Sequence, residues 1–138
     1  MITTHYKQYF IVALVYLFID IVWIYSTNKL LYSPMVENVQ STPMVPRLQY
    51  AVGAYLFLIV SIWFICIPLK KYYITIHNFS NIKATVCSFG IVGLVIYAVY
   101  NFTNATIFKN YPFNVVLIDS MWGFVLFNII GYKFTELK

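Results

Sequence analysis

Two short pieces of the chain, FIDIVW (Phe18 to Trp23) and LIDSMW (Leu117 to Trp122), each set an aspartate among Ile, Leu, Val, Phe or Met, with a tryptophan three positions later. A carboxylate in apolar surroundings suits three kinds of chemistry: carrying a proton, holding a cation, or acting as general acid or base. Two carboxylates sharing a low-dielectric pocket cannot comfortably both ionise. That condition favours proton handling or cation binding, and it also fits a neutral hydrogen-bonded pair. On a helix the tryptophan shares the face of its aspartate, and its indole N–H is a ready donor. The candidate ligand- or ion-binding residues are therefore Asp20, Asp119, Trp23 and Trp122, with Tyr97, Asn101, Thr103 and Asn104 near the end of a third apolar stretch. The bland reading of the same residues is a set of structural hydrogen bonds that locks helices together.

Other chemistry finds little support. Cys66 and Cys87 have no C-x-x-C or metal-ligand spacing and read as packing residues. His5 and His77 are expected far from the acids, so neither a His–Asp catalytic pair nor a metal cluster is expected. Zincin, nucleophile-elbow, phosphate-loop and dinucleotide signatures do not occur, and there is no TVGYG-like filter. No metal and no cofactor is expected, and no catalytic residue can be named.

The elements that must position these acids follow from composition. Of 138 residues, 62% are hydrophobic and 9% charged, against about 25% charged in a soluble domain, and the mean hydropathy is +0.78. The bilayer is the expected solvent. Spans of about 20 apolar residues are read at approximately 9–26, 50–69, 82–102 and 113–132. Without water in the hydrocarbon they must be helices. The expected fold is all-α, an integral membrane four-helix bundle forming one domain over 1–138, with Thr27 to Gln49 as its longest polar interval. The first span carries Asp20 and lacks a small-residue cleavage site, so it reads as a retained helix rather than a signal peptide.

Lys7, Lys70, Lys71, Lys83, Lys133 and Lys138 fall on one side of these spans, and Lys29, Arg47 and Lys109 on the other. Both termini are therefore expected in the cytoplasm. The net charge of +5 fits helix-end lysines facing lipid phosphates. Membrane lipids are the expected partners, a homo-oligomer stays open, and nucleic acid is not expected. Tyr9, Tyr25, Tyr50, Tyr72, Tyr73 and Tyr132 read as an interfacial belt. N-x-S/T sequences at Asn78, Asn101 and Asn104 are expected to go unmodified.

Helical spacing sorts each span into stripes. The first carries Ala13, Tyr16, Asp20, Trp23 and Thr27; the second Gly53, Phe57, Ser61 and Phe64; the third Gly90, Gly93, Tyr97, Asn101 and Asn104; the fourth Asp119, Trp122 with Gly123, and Leu126. Glycines on such stripes are expected to pack helices closely. Asp20 lies about nine residues, roughly 13 Å, before Lys29, and Asp119 about seven residues, roughly 10 Å, after Pro112. Because the first and fourth spans run in opposite directions, the acids reach a similar depth in the outer half and can line one pocket.

The stretches DIVWIYSTNKLLY, YAVYNFTNATIFKNYP and LIDSMWG together resemble a family of small predicted membrane proteins of bacteria and large DNA viruses, catalogued as domain of unknown function 2177. The family pattern is an aspartate and tryptophan in the first helix, Y-D-x-T-N-x-A-T-x-K-x-W-P after the third, and D-x-x-W-G in the fourth. Asp20, Trp23, Tyr100, Thr103, Asn104, Lys109, Pro112, Asp119, Trp122 and Gly123 fall on it. Asn101 stands where the resemblance implies an acid, Tyr111 where it implies a tryptophan, and Ala105 with Thr106 sits one position early. Heavy use of Ile, Asn, Tyr, Phe and Lys is in keeping with an AT-rich genome and a large-virus origin, and with a host-cell or virion membrane. The reading that follows is a small polytopic membrane protein whose outer-half Asp pocket binds or passes a proton, cation or small polar ligand. The alternatives are a lipid-modifying enzyme or its subunit, and a structural membrane or virion component.

Overall fold

The computed structural model describes residues 2–133, with side chains from residue 7 onward. Its elements are α1 (Ile2–Thr27), α2 (Ser33–Gln40), α3 (Leu48–Ser61), α4 (Ile67–His77), α5 (Asn81–Thr85), α6 (Ile91–Ile107) and α7 (Phe113–Lys133). Wide π-turns at Asn28–Tyr32, Ile62–Cys66 and Val86–Gly90 join α1 to α2, α3 to α4 and α5 to α6. Among the described residues four continuous rods result: Lys7–Gln40, Leu48–His77, Asn81–Ile107 and Phe113–Lys133, each long and apolar enough to cross a membrane. The fold is an all-α membrane bundle. Short connections make neighbouring rods antiparallel, so Lys29 and Lys109 mark one end and Lys71 and Lys133 the other.

The first rod is longer than hydropathy alone suggests. Helix continues from Thr27 to Gln40, through most of the expected polar interval. Pro34 follows closely on the π-turn, and the widened turn ahead of it is where the rod accommodates its ring and missing N–H. The rod ends at Ser41, whose φ of 57° is left-handed, just before Pro43 and Pro46.

Close packing is concentrated between α6 and α7. Gly93 and Gly123 face each other there. A Cβ at Gly123 would lie 2.7 Å from the Gly93 carbonyl oxygen, and one at Gly93 would run into the Gly123 carbonyl. Only glycine at both positions allows the backbones this near, which is how helices associate where lipid removes the hydrophobic drive. Below this crossing lies the apolar core of Val12, Tyr16, Ile62, Cys66, Phe89, Leu126, Phe127 and Ile130. Cys66 and Cys87 are unbridged, the first buried in that core.

The expected stripes of the first, third and fourth spans face inward: Ala13, Tyr16, Asp20, Gly90, Gly93, Asn101, Asp119, Gly123 and Leu126 are all buried. The second span departs from expectation. Phe57 and Phe64 are 75% and 73% exposed, and a Cβ at Gly53 would meet nothing within 4 Å. The inward face instead carries Tyr55, Leu58, Ile62 and Cys66. Lipid accepts a phenylalanine as readily as the protein does, whereas the Tyr55 hydroxyl must find an acceptor. Lys70 also departs from the picture of helix-end lysines at the lipid surface. It is fully buried and donates to the Gly131 carbonyl at 2.7 Å, a cation on the last turn of α7.

Gly123→Val is expected to lower stability by about 1–3 kcal/mol through overpacking, whereas Gly53→Ala should leave it unchanged or slightly raised. Thermal unfolding of the purified protein in detergent measures both. Equal midpoints for Gly123→Val and wild type would contradict the crossing.

Candidate functional site

The two D-x-x-W pieces meet in the half of the bundle that holds Lys29 and Lys109. Asp20 is 4% exposed and Asp119 is 7% exposed, and each of their four oxygens has a donor. Trp122 Nε1 donates to Asp20 Oδ1 at 2.7 Å, and Tyr55 Oη to Asp20 Oδ2 at 2.9 Å. Tyr32 Oη donates to Asp119 Oδ1 at 2.6 Å, and Asn101 Nδ2 to Asp119 Oδ2 at 2.6 Å.

The tryptophans therefore serve each other's acids. Trp122 bonds Asp20 directly, and Trp23 reaches Asp119 through Tyr32, donating to its hydroxyl at 3.0 Å. The two indoles stack with centroids 4.2 Å apart and planes 7° from parallel. Like faces of the same motif on antiparallel helices thus make one cross-linked unit. The second shell is equally connected: Asn101 Nδ2 also donates to the Tyr97 carbonyl at 2.9 Å, and Tyr111 Oη donates to Asn101 Oδ1 at 2.7 Å. Tyr111 lies between α6 and α7. Burial, with Tyr100 adding to it, pushes its phenol up to about 12.

Asn101 can do what an acid at that position would do only when protonated. Its amide N–H₂ donates to Asp119 while its oxygen accepts from Tyr111. The residue that stands where the resemblance implies an acid is here the donor that completes the Asp119 carboxylate.

Both acids open onto one cavity of about 650 Å³, whose wall includes Tyr32, Tyr55, Tyr97 and Tyr100 among apolar side chains such as Ile24, Leu58 and Ile96. Tyr97 lines the cavity, and its hydroxyl lies 2.9 Å from that of the buried Tyr16. The Tyr16 ring meets that of Phe127, 5.7 Å away at 83°, within the apolar core. A smaller hollow of about 330 Å³ beside Ile82, Val86 and Phe124 carries no acid.

Of the residues expected from spacing, Asp20, Asp119, Trp23, Trp122, Tyr97 and Asn101 come together. Asn104 is half-buried and Thr103 exposed, and neither lines the cavity. The candidates chosen from spacing omit five tyrosines that the structure brings to the site: Tyr16, Tyr32, Tyr55, Tyr100 and Tyr111. Tyr16 lies on the Asp20 stripe, so a signal existed. Tyr32 arrives through a π-turn, which hydropathy does not foretell, and Tyr55 lies on the face that small-residue spacing did not select. Among the described residues no group of three or more His, Cys, Asp or Glu could hold a metal. His77 packs among Tyr72, Tyr73 and Phe79 at the end of α4.

A family model described as predicted membrane protein (DUF2177) matches residues 5–133. No curated protein and no solved structure matches the chain.

Asp119→Leu is expected to strand the Tyr32 hydroxyl and the Asn101 amide, at about 1–3 kcal/mol for each unpaired group. Asp119→Asn keeps size and one acceptor and should cost distinctly less. Unfolding midpoints in detergent test the ordering, and a leucine variant as stable as the asparagine variant would refute the network.

Proposed function

We propose, for a chain that belongs to the DUF2177 family of predicted membrane proteins, that the Asp20–Asp119 cavity binds a small ligand whose polar end is positively charged or rich in hydrogen-bond donors. One observation carries this reading. Two buried carboxylates line the same cavity, and all four donors that reach them, from Trp122, Tyr55, Tyr32 and Asn101, are uncharged. The cations at that end, Lys29, Arg47 and Lys109, are exposed. A buried negative charge without a counter-charge is costly, and a cationic or donor-rich ligand relieves that cost. A largely apolar cavity with a few convergent polar groups is also the usual form of a small-molecule site.

Holding fits the geometry better than passing. Beyond Tyr16 and Tyr97 the interior is mostly apolar, with Val12, Ile62, Phe89, Leu126, Phe127 and Ile130, and the buried charge there, Lys70, opposes the passage of a second cation. A scaffold is the competing reading, favoured by the fact that every carboxylate oxygen already has a donor.

The Trp63→Phe variant leaves the Trp23–Trp122 stack as the only indole emission and serves as the reporter background. Titration in detergent with butylammonium, butanol and butyrate should show the cation binding most tightly. Asp20→Asn and Asp119→Asn should each weaken it by about tenfold or more, since a hydrogen bond to a charged group contributes about 1.5–3 kcal/mol and 1.4 kcal/mol is tenfold. Equal binding of all three probes, or no change in either variant, leaves the scaffold.

Both termini are proposed to face the cytoplasm. Without the buried Lys70, five lysines still stand on that side (Lys7, Lys71, Lys83, Lys133 and Lys138) against Lys29, Arg47 and Lys109. A cysteine placed at exposed Glu37 should react with an impermeant maleimide outside intact cells, and one at Lys7 should not. The opposite pattern overturns the orientation.

A further inference from the structure

α3 forms one wall of the cavity. α3 packs closely only against the π-turn that follows it, whereas α6 and α7 lie against each other along their lengths. In this half of the bundle the second rod is tied to the first by the Tyr55–Asp20 bond rather than by interlocked backbones. The cavity wall runs from Ala51, Ala54 and Leu58 on α3 to Ile96 and Tyr100 on α6. At its rim Phe57 is 75% exposed and Tyr100 60%, on a surface that a bilayer covers in a membrane bundle.

We propose that the ligand is a single-chain lipid with an amine head, which enters sideways from the bilayer between α3 and α6, sets its ammonium group between Asp20 and Asp119, and lays its chain along Ala54, Leu58 and Ile96. This rests on the cation-site reading above and adds the ligand's class and route. The route selects the class, because a solute arriving through hydrocarbon must be mostly apolar. An ammonium has three donors and no acceptor, which matches two carboxylates whose partners among the described residues are neutral. A divalent metal is a poor alternative: hard cations take six or more oxygen ligands, and the described residues hold no cluster of three candidate ligands. The volume of about 650 Å³ lies within the roughly 300–1,000 Å³ range of small-ligand sites. Depth argues against a phospholipid amine. Asp119 lies about seven residues, roughly 10 Å, inside the Pro112 end of its helix, so an attached phosphate would follow the amine into hydrocarbon beside two acids.

The test uses the Trp63→Phe protein in phosphatidylcholine nanodiscs, with hexadecylamine brominated on its chain as quencher of the Trp23–Trp122 emission. Equally brominated hexadecanol and palmitic acid are the comparisons, and water-soluble butylammonium is run beside them. The amine should quench at a mole fraction at least about fivefold below the fatty acid. Asp119→Asn should remove most of that preference. Ala54→Phe, which narrows the proposed side entry without adding an indole, should abolish quenching by the long-chain amine. If butylammonium binds but the long-chain amine quenches no better than the acid, or Ala54→Phe leaves its quenching intact, lateral lipid entry is overturned and the cation site stands. If neither amine binds, both readings fall.

Discussion

Hydrocarbon offers no partner to a donor or acceptor, and an unsatisfied polar group there costs several kcal/mol. Two aspartates, an asparagine, two indoles and five tyrosine hydroxyls lie in one half of this bundle. Their mutual satisfaction decides how the rods meet. Asp20 draws α7 through Trp122 and α3 through Tyr55; Asp119 draws the turn after α1 through Tyr32 and α6 through Asn101. Removing either acid would strand donors from two other elements, so the network works as a unit rather than as separate bonds.

That network needs backbones placed to within hydrogen-bond tolerance, and two devices supply the placement. The Gly93–Gly123 crossing holds α6 and α7 close enough for Asn101 to reach Asp119. The π-turn at Asn28–Tyr32 lets the first rod continue past Thr27 while bringing the Tyr32 hydroxyl onto Asp119. π-bulges recur at functional sites because the extra residue re-aims side chains. The other half of the bundle buries fewer polar side chains, chiefly Lys70 and the hydroxyls of Ser61, Thr85 and Ser88. Its core is apolar and interlocked, with Gly131 making room for Phe89 and its carbonyl receiving the Lys70 ammonium.

The division of labour has a chemical consequence. The tight α6–α7 pair and the core below Tyr16 are rigid by packing, while α3 joins the polar half by one phenol. A cavity persists where the rods diverge, and its polar groups converge on the two carboxylates. Stability alone would be served as well by filling that space with leucine, since replacing buried charges by well-packed apolar residues is often neutral or stabilising. An open space of about 650 Å³ beside two acids is what favours a bound ligand over a mere lock.

Much of this was legible in the residues. Composition dictates the bilayer as solvent, and the bilayer dictates helices. Steps of three and four then placed Tyr16 with Asp20, Gly93 with Tyr97 and Asn101, and Asp119 with Gly123, each on a face that turns inward. Those are properties of one helix and its solvent, so a single chain's pattern suffices. Tertiary structure alone decided three things: that each tryptophan serves the other motif's acid, that Tyr32 and Tyr55 complete the carboxylates, and that the second rod turns Phe57 and Phe64 to lipid. Each depends on the distance and rotation between helices. Lipid is as apolar as the protein interior, so hydropathy cannot say which apolar face is inside; only the pairing of polar atoms across helices does.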